Sequence, residues 1–263
     1  MLKNIVLKSI RDYRWATLWW SIGVSLAAAV LVAIYPDYSK AGDDLNELLK
    51  NPAMKAFVGE LVDLTTPEGF LTMEGYHMFF PVLIIIFSIM LGTAFIAGEE
   101  KDGTLELLTA ISVSRHTVIV HKFLALLSLT MFLGFIFFSS ISIGAIAINM
   151  DISLLNIANM SIHLALLGLI FGSLSFFIGS TTGTKSYCIG ISATTASISY
   201  LVNAFSSTIV LFDTLKYLSP FYYYIDKNPL IHGFNLWHTT TLIFIVLILG
   251  LLSLFPFNRR SLT

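Results

Sequence analysis

The sequence is most charged, between two long apolar runs, in residues 98–122, GEEKDGTLELLTAISVSRHTVIVHK. Within this segment, residues 104–111 (TLELLTAI) have the pattern of a short amphipathic helix, because Leu105 and Leu108 recur on one face. Gly103, just before it, can take the backbone angles of a turn. A helix of this length cannot cross a bilayer. We therefore expect it to lie across the ends of its neighbours.

The composition indicates a membrane protein. Hydrophobic residues make up 56% of the 263 residues and charged residues only 12%. Soluble domains average about 45–50% apolar and about 25% charged residues. The net charge of -1 argues against a nucleic-acid-binding protein, which would carry a basic patch. The single cysteine, Cys188, excludes an internal disulfide and a cysteine-based metal cluster.

Six long stretches contain no Asp, Glu, Lys or Arg, and each is long enough for one helix of about 20 residues. In lipid such segments must satisfy their own backbone groups, so they are helices rather than loops. The sequence predicts an all-α polytopic membrane protein, a single transmembrane domain over residues 1–263. The predicted spans are about 15–36, 77–98, 122–149, 159–181, 187–211 and 236–257.

The N-terminal residues 1–14 predict an interfacial helix, since apolar side chains share one side of the helical wheel and Lys and Arg the other. An N-terminus inside the cell places ten of the 15 basic residues on the cytoplasmic side. We therefore expect both termini in the cytoplasm. The 37–76 loop is then extracytoplasmic and the 99–121 loop cytoplasmic.

The charged segment resembles the permease subunits of ABC-2 type transporters. The shared pattern is an acidic pair, Gly-Thr-Leu-Glu-Leu-Leu, Ser-Arg and a Lys that opens the next helix. The matching residues are Glu99, Glu100, Gly103, Thr104, Leu105, Glu106, Leu107, Leu108, Ser114, Arg115 and Lys122. The family usually has a Pro where this chain has Ser112, which affects the turn. Weaker similarities are Leu218-Ser219-Pro220-Phe221 and Phe257-Asn258-Arg259-Arg260.

The resemblance implies an ABC-2, type V exporter-like fold in a cell membrane. It makes the charged loop a coupling helix, seated in a cleft of an ATP-binding subunit, and it assigns the matching residues to ATPase coupling. The expected partners are ABC ATP-binding subunits, which bind ATP and Mg²⁺, and a second permease copy, identical or different. This chain would be a non-enzymatic permease subunit of an exporter. Drug or antibiotic efflux is the first expectation, by family frequency.

The residues from Gly179 to Ser186 (GSTTGTKS) match the phosphate-binding loop motif only in part. That motif needs Gly directly before the Lys, where this chain has Thr184, and a strand before it. We therefore predict no nucleotide site and no cofactor in this chain. His163 lies in the fourth apolar run without a second His at metal-ligand spacing. Two interpretations stay open: a functional intramembrane group, or a residue at the outer interface.

An alternative to the transporter permease is a self-contained membrane protein, either a channel or carrier or a membrane-embedded enzyme. It predicts charged or catalytic residues inside the spans. The permease instead predicts charge-free spans, a charged inner loop and no nucleotide motif. The sequence fits the permease on all three counts.

A polar stripe is predicted on the fifth span, within about 80° of the helical wheel. Its members are Ser192, Thr195, Ser199, Asn203 and Ser206. Small polar side chains that lack partners are costly in lipid. The stripe either packs inside one subunit or faces the partner permease, lining the substrate path or the closed seam between subunits.

Overall fold

The computed structural model describes residues 5–40, 66–104 and 114–259, and the regular elements in these ranges are all helical. This confirms the predicted all-α class. In chain order the helices are α1 (Ile5–Asp12), α2 (Arg14–Lys40), α3 (Pro67–Phe70), α4 (Phe79–Lys101), α5 (Arg115–Ala147), α6 (Leu154–Thr182), α7 (Lys185–Ala204), α8 (Val210–Leu215), α9 (Pro220–Ile225), α10 (Pro229–His232) and α11 (Leu236–Arg259). The predicted coupling helix lies outside the described residues, apart from Thr104.

Five of these helices are long and apolar enough to cross a membrane: α2, α4, α5, α6 and α11. The remaining predicted span corresponds to α7, which has 20 residues but is too rich in Ser and Thr to join the five. Six spans therefore stay a prediction. A multi-pass helical membrane protein is what the described part of the chain shows.

Helix α7 ends at Ala204, whereas the sequence predicted a span over 187–211. Ser206 donates its hydroxyl hydrogen to the carbonyl oxygen of Asn203 at 2.8 Å. A side chain that bonds the backbone in this way offers an alternative to the helical hydrogen bond. Residues 205–208 therefore form turns, and the chain continues into the short helix α8.

Helix α2 runs past the predicted boundary at residue 36 as far as Lys40, with Pro36 inside it. Part of the predicted 37–76 loop is also helical, since α3 leads into a π-helical turn over Leu71–Tyr76. Thr66 caps α3 by accepting a hydrogen bond from the amide of Gly69, and Pro67 takes the first helical position.

Helix α6 lies at the centre of the bundle and packs against α4, α5, α7 and α11. Small residues let its backbone approach α4 closely. A methyl group added at Gly92 of α4 would overlap the carbonyl oxygen of Gly172. On α5, a methyl group at Gly134 would lie 2.6 Å from the Cβ atom of Ala165. Such close approach stabilises helix pairs in membranes through dispersion contacts.

The bundle has two distinct ends. The charged end carries residues 5–14, 98–104, 114–122 and 183–185. The opposite end carries residues 36–40, 66–78, 148–153 and 205–235, and buried hydrogen bonds join parts of it. There the phenol of Tyr224 donates to the carbonyl oxygen of Tyr76 at 2.9 Å. The side-chain amide of Asn228 donates to the hydroxyl of Thr72 at 3.0 Å.

Candidate functional site

A buried ion pair joins α4 to α5 at the charged end. The ammonium of Lys122 lies 2.6 Å from a carboxylate oxygen of Glu99, and the Lys122 side chain is 0% exposed. The Glu99 side chain is 13% exposed. Removing two charges from water is costly, so each partner depends on the other for compensation. The pair therefore fixes the end of α4 against the start of α5.

A π-helical turn over Ala94–Gly98 positions Glu99 for this contact. The wider turn holds one residue more than an α-helical turn, which rotates the following residues by about 100°. On the other side, Ser114 caps α5 by accepting a hydrogen bond from the amide of Thr117 at 3.2 Å. The cap fixes where α5 begins, two turns before Lys122.

Two aromatic rings lie near the ion pair. The ammonium of Lys122 lies 6.0 Å from the ring centre of Phe95, at the limit of a cation–π contact. The ring of Tyr13 meets Phe95 edge to face at 5.2 Å. Burial raises the pKa of Tyr13 to about 12, and the carboxylates of Glu99 and Asp102 add to the effect. The phenol stays neutral at physiological pH, so the junction between α1 and α2 places an uncharged ring near the pair.

The residues after Glu99 are also held in place. Thr104 donates its hydroxyl hydrogen to the carbonyl oxygen of Glu99 at 3.1 Å. Gly103 has a φ of 68°, a left-handed conformation that favours glycine. Asp102 lies 3.9 Å from the ammonium of Lys185, the first residue of α7. Both side chains of that second pair are well exposed, so it contributes little to stability.

The structure thus brings together only part of the predicted coupling set. Glu99, Lys122 and Thr104 are connected, and Glu100 and Arg115 are partly buried nearby in the chain. The predicted residues Leu105, Glu106, Leu107 and Leu108 lie outside the described residues.

Sequence reasoning missed three contributors: Tyr13, Phe95 and Lys185. Tyr13 carried a signal, since it falls on the apolar side of the N-terminal helical wheel. Phe95 lies within an apolar run, where no pattern sets it apart from other core aromatics. Lys185 could be counted only as one more basic residue on the inner side.

The members of the predicted polar stripe on α7 differ in how deeply they are buried. Ser192 is buried within the chain's own packing, together with Cys188 and Ala196. Thr195 is exposed, and its hydroxyl bonds back to the carbonyl oxygen of Ile191 at 2.8 Å.

The C-terminal members of the stripe are partly covered by other residues of the same subunit. The backbone carbonyl of Ser199 accepts a hydrogen bond from the Ser219 hydroxyl at 2.8 Å. Ser199, Asn203 and Ser206 are half-buried, and Ser206 lies beyond the end of the helix.

His163 is fully integrated in the core of the bundle. Its Nε2 atom lies 2.8 Å from the Thr239 hydroxyl and its Nδ1 atom 3.3 Å from the carbonyl oxygen of Tyr224. Both ring nitrogens therefore have hydrogen-bond partners, as buried polar groups usually do. Within residues 5–40, 66–104 and 114–259, no cluster of three or more His, Cys, Asp or Glu side chains suits a metal ion.

Long apolar helices around a central span, with ion pairs confined to the described ends, define a multi-pass helical membrane protein. The sequence of residues 3–262 matches the family described as ABC-2 family transporter protein. The chain therefore belongs to this family and is an ABC transporter permease. Permeases of this family are transmembrane subunits that are generally not catalytic themselves, and they associate with ABC ATP-binding subunits. Comparison with curated proteins gives no match.

Proposed function

We propose that the chain is the permease subunit of an ATP-driven exporter. Two permease subunits, identical or different, form the substrate path and work with two separate subunits that bind ATP and Mg²⁺. Family membership supports the permease role. The observation that carries the coupling mechanism is the buried ion pair between Glu99 and Lys122, at the base of the segment that resembles a coupling helix.

In this proposal the charged end faces the cytoplasm. Ten of the 15 basic residues lie on that side in a six-span arrangement, as the positive-inside rule favours. The segment after Glu99 then extends toward the ATP-binding subunit. Because Glu99 is fixed to α5 and Asp102 approaches α7, movement of the segment is passed to two helices as rigid-body motion.

The exposed side of α7 is the part of the bundle that we assign to the seam between permeases. Thr195 lies on that side, next to exposed Thr194 and Ile198. A hydroxyl-rich face that its own subunit leaves uncovered favours a protein or aqueous neighbour over lipid. Ser192, which is buried in its own subunit, is not part of this face.

The direct test is co-purification of the tagged chain with the ABC ATPase encoded beside it. The complex is then reconstituted in nanodiscs and its ATP hydrolysis is measured with a panel of drugs and antibiotics. We expect one class of compound to stimulate hydrolysis. Glu106→Lys should abolish the stimulation while the protein stays inserted, since it reverses a charge on the proposed docking helix.

A matched control is Asp151→Lys, which reverses a charge on the exposed turn between α5 and α6. It should retain full stimulation. Failure of every adjacent ATPase to co-purify would contradict the permease assignment. Full stimulation in Glu106→Lys would contradict the docking role alone. In the alternative, a self-contained channel or enzyme, His163 would be the main candidate group; its ring nitrogens lie within hydrogen-bond distance of Thr239 and Tyr224.

A further inference from the structure

The junction between the two N-terminal helices carries two exposed arginines, Arg11 near the end of α1 and Arg14 at the start of α2. The helices are separated by Tyr13, which belongs to neither. Arg14 precedes Leu18 by four residues, so the two side chains share one face of α2. Arg11 lies three residues before Arg14, on the other side of the junction.

From Leu18 onward the same helix presents a line of exposed apolar side chains at every fourth residue. The line consists of Leu18, Ile22, Leu26, Val30 and Ile34, each at least 42% exposed. It extends over about 24 Å at 1.5 Å per residue, most of the roughly 30 Å of a bilayer's hydrocarbon core. This side of α2 is therefore its lipid face, and Arg14 lies one turn beyond the apolar line, at headgroup level.

Neither arginine is neutralised within the described residues. Both are exposed, and no carboxylate there lies within 4.0 Å of either guanidinium. The adjacent acid, Asp12, pairs instead with Lys8 at 3.7 Å. The Arg14 guanidinium lies 5.7 Å from the ring centre of Trp15, which is itself 62% exposed. Tryptophan is enriched at the membrane interface.

We propose that Arg11 and Arg14 form a binding site for the phosphate of an anionic phospholipid. Guanidinium groups bind phosphate oxygens through paired, charge-assisted hydrogen bonds. One acyl chain then lies along the apolar line of α2, and Trp15 lies at the level between headgroup and chain. The site needs no ATP-binding subunit and holds whichever way the bundle is oriented in the bilayer.

Quenching of Trp15 by brominated lipids tests this site in the full-length protein. The protein is placed in phosphatidylcholine nanodiscs with a minority of brominated phosphatidylglycerol or, separately, brominated phosphatidylcholine. The Trp15 signal is the difference from Trp15→Phe. Cations near an anionic surface contribute roughly 1 kcal/mol each, so phosphatidylglycerol should bind beside Trp15 about fivefold or more tightly than phosphatidylcholine.

Three variants complete the test. Arg11→Gln with Arg14→Gln should remove the preference, whereas Arg11→Lys with Arg14→Lys should keep much of it. Lys101→Gln with Lys185→Gln removes two cations from the same end and should leave it unchanged.

Three results would overturn the proposal. Equal quenching by the two lipids in the wild-type protein would show that no anionic lipid binds here and would favour an acidic protein surface as partner. An equal loss of the lipid preference in the Lys101→Gln, Lys185→Gln variant would show that the effect is general electrostatic attraction at this end of the protein. Loss of the preference on adding inorganic phosphate would assign the site to free anions.

Discussion

Removing the charge of Lys122 alone should destabilise the protein far more than removing both charges of its ion pair. Lys122→Met leaves the carboxylate of Glu99, 13% exposed, without its counterion. Loss of one partner of a buried pair costs about 3–5 kcal/mol, whereas replacing both with neutral groups is often close to neutral. At roughly 2–4 °C per kcal/mol, the single variant should unfold about 10 °C below the wild type.

The assay is a double-mutant cycle of thermal unfolding in one detergent with Lys122→Met, Glu99→Gln and the combined variant. The combined variant should recover most of the loss, with an interaction free energy of about 2 kcal/mol or more. A matched cycle on the exposed pair, with Asp102→Asn and Lys185→Gln, should give less than about 1 kcal/mol. Additive losses in the Glu99 and Lys122 cycle would refute the reasoning, because they would show that the two charges do not compensate each other.

Gly92→Ala should lower the unfolding temperature by several degrees, since overpacking costs about 1–3 kcal/mol, whereas Gly23→Ala should not, because no atom lies within 4 Å of the added methyl group. Equal stability of the two variants would contradict the close contact of α4 with α6. Thr195→Cys should cross-link between permease subunits in membranes, and Ser192→Cys should not; the reverse pattern would place the seam elsewhere. Tyr224→Phe should lose about 1 kcal/mol of stability, since it removes the hydrogen bond to the Tyr76 carbonyl, and an unchanged unfolding temperature would show that the bond is dispensable.

Much of the fold follows from two simple properties of the sequence. Length and the absence of charge locate the long helices, because a bilayer tolerates few other structures. Small residues in the spans allow close helix contacts. Gly172 lies against Ser88 of α4, and Gly144 lies against Val32 of α2. The sequence does not predict which helix each small residue meets, since that depends on how all the helices pack.

The candidate site was harder to predict than the helices around it. The acidic pair and Lys122 stand out in the sequence. The contact between Glu99 and Lys122, however, depends on a π-helical turn at Ala94–Gly98 that no local sequence pattern predicts. The members of the stripe on α7 differ in burial for a related reason. Helical periodicity groups side chains by angle, whereas burial depends on the neighbouring helices, which cover Ser192 but leave Thr195 exposed.

The hydrogen bonds at the opposite end have a consequence for biosynthesis. Tyr224 and Asn228 bond to Tyr76 and Thr72, which precede them by 148 and 156 positions. During translation, the segment around residue 76 must therefore wait until most of the chain has been made before its partners exist. Until then these polar groups rely on water or on helper proteins at the membrane. Nascent chains halted before residue 219 should accordingly be cleaved by protease at this end, whereas completed chains should resist cleavage there.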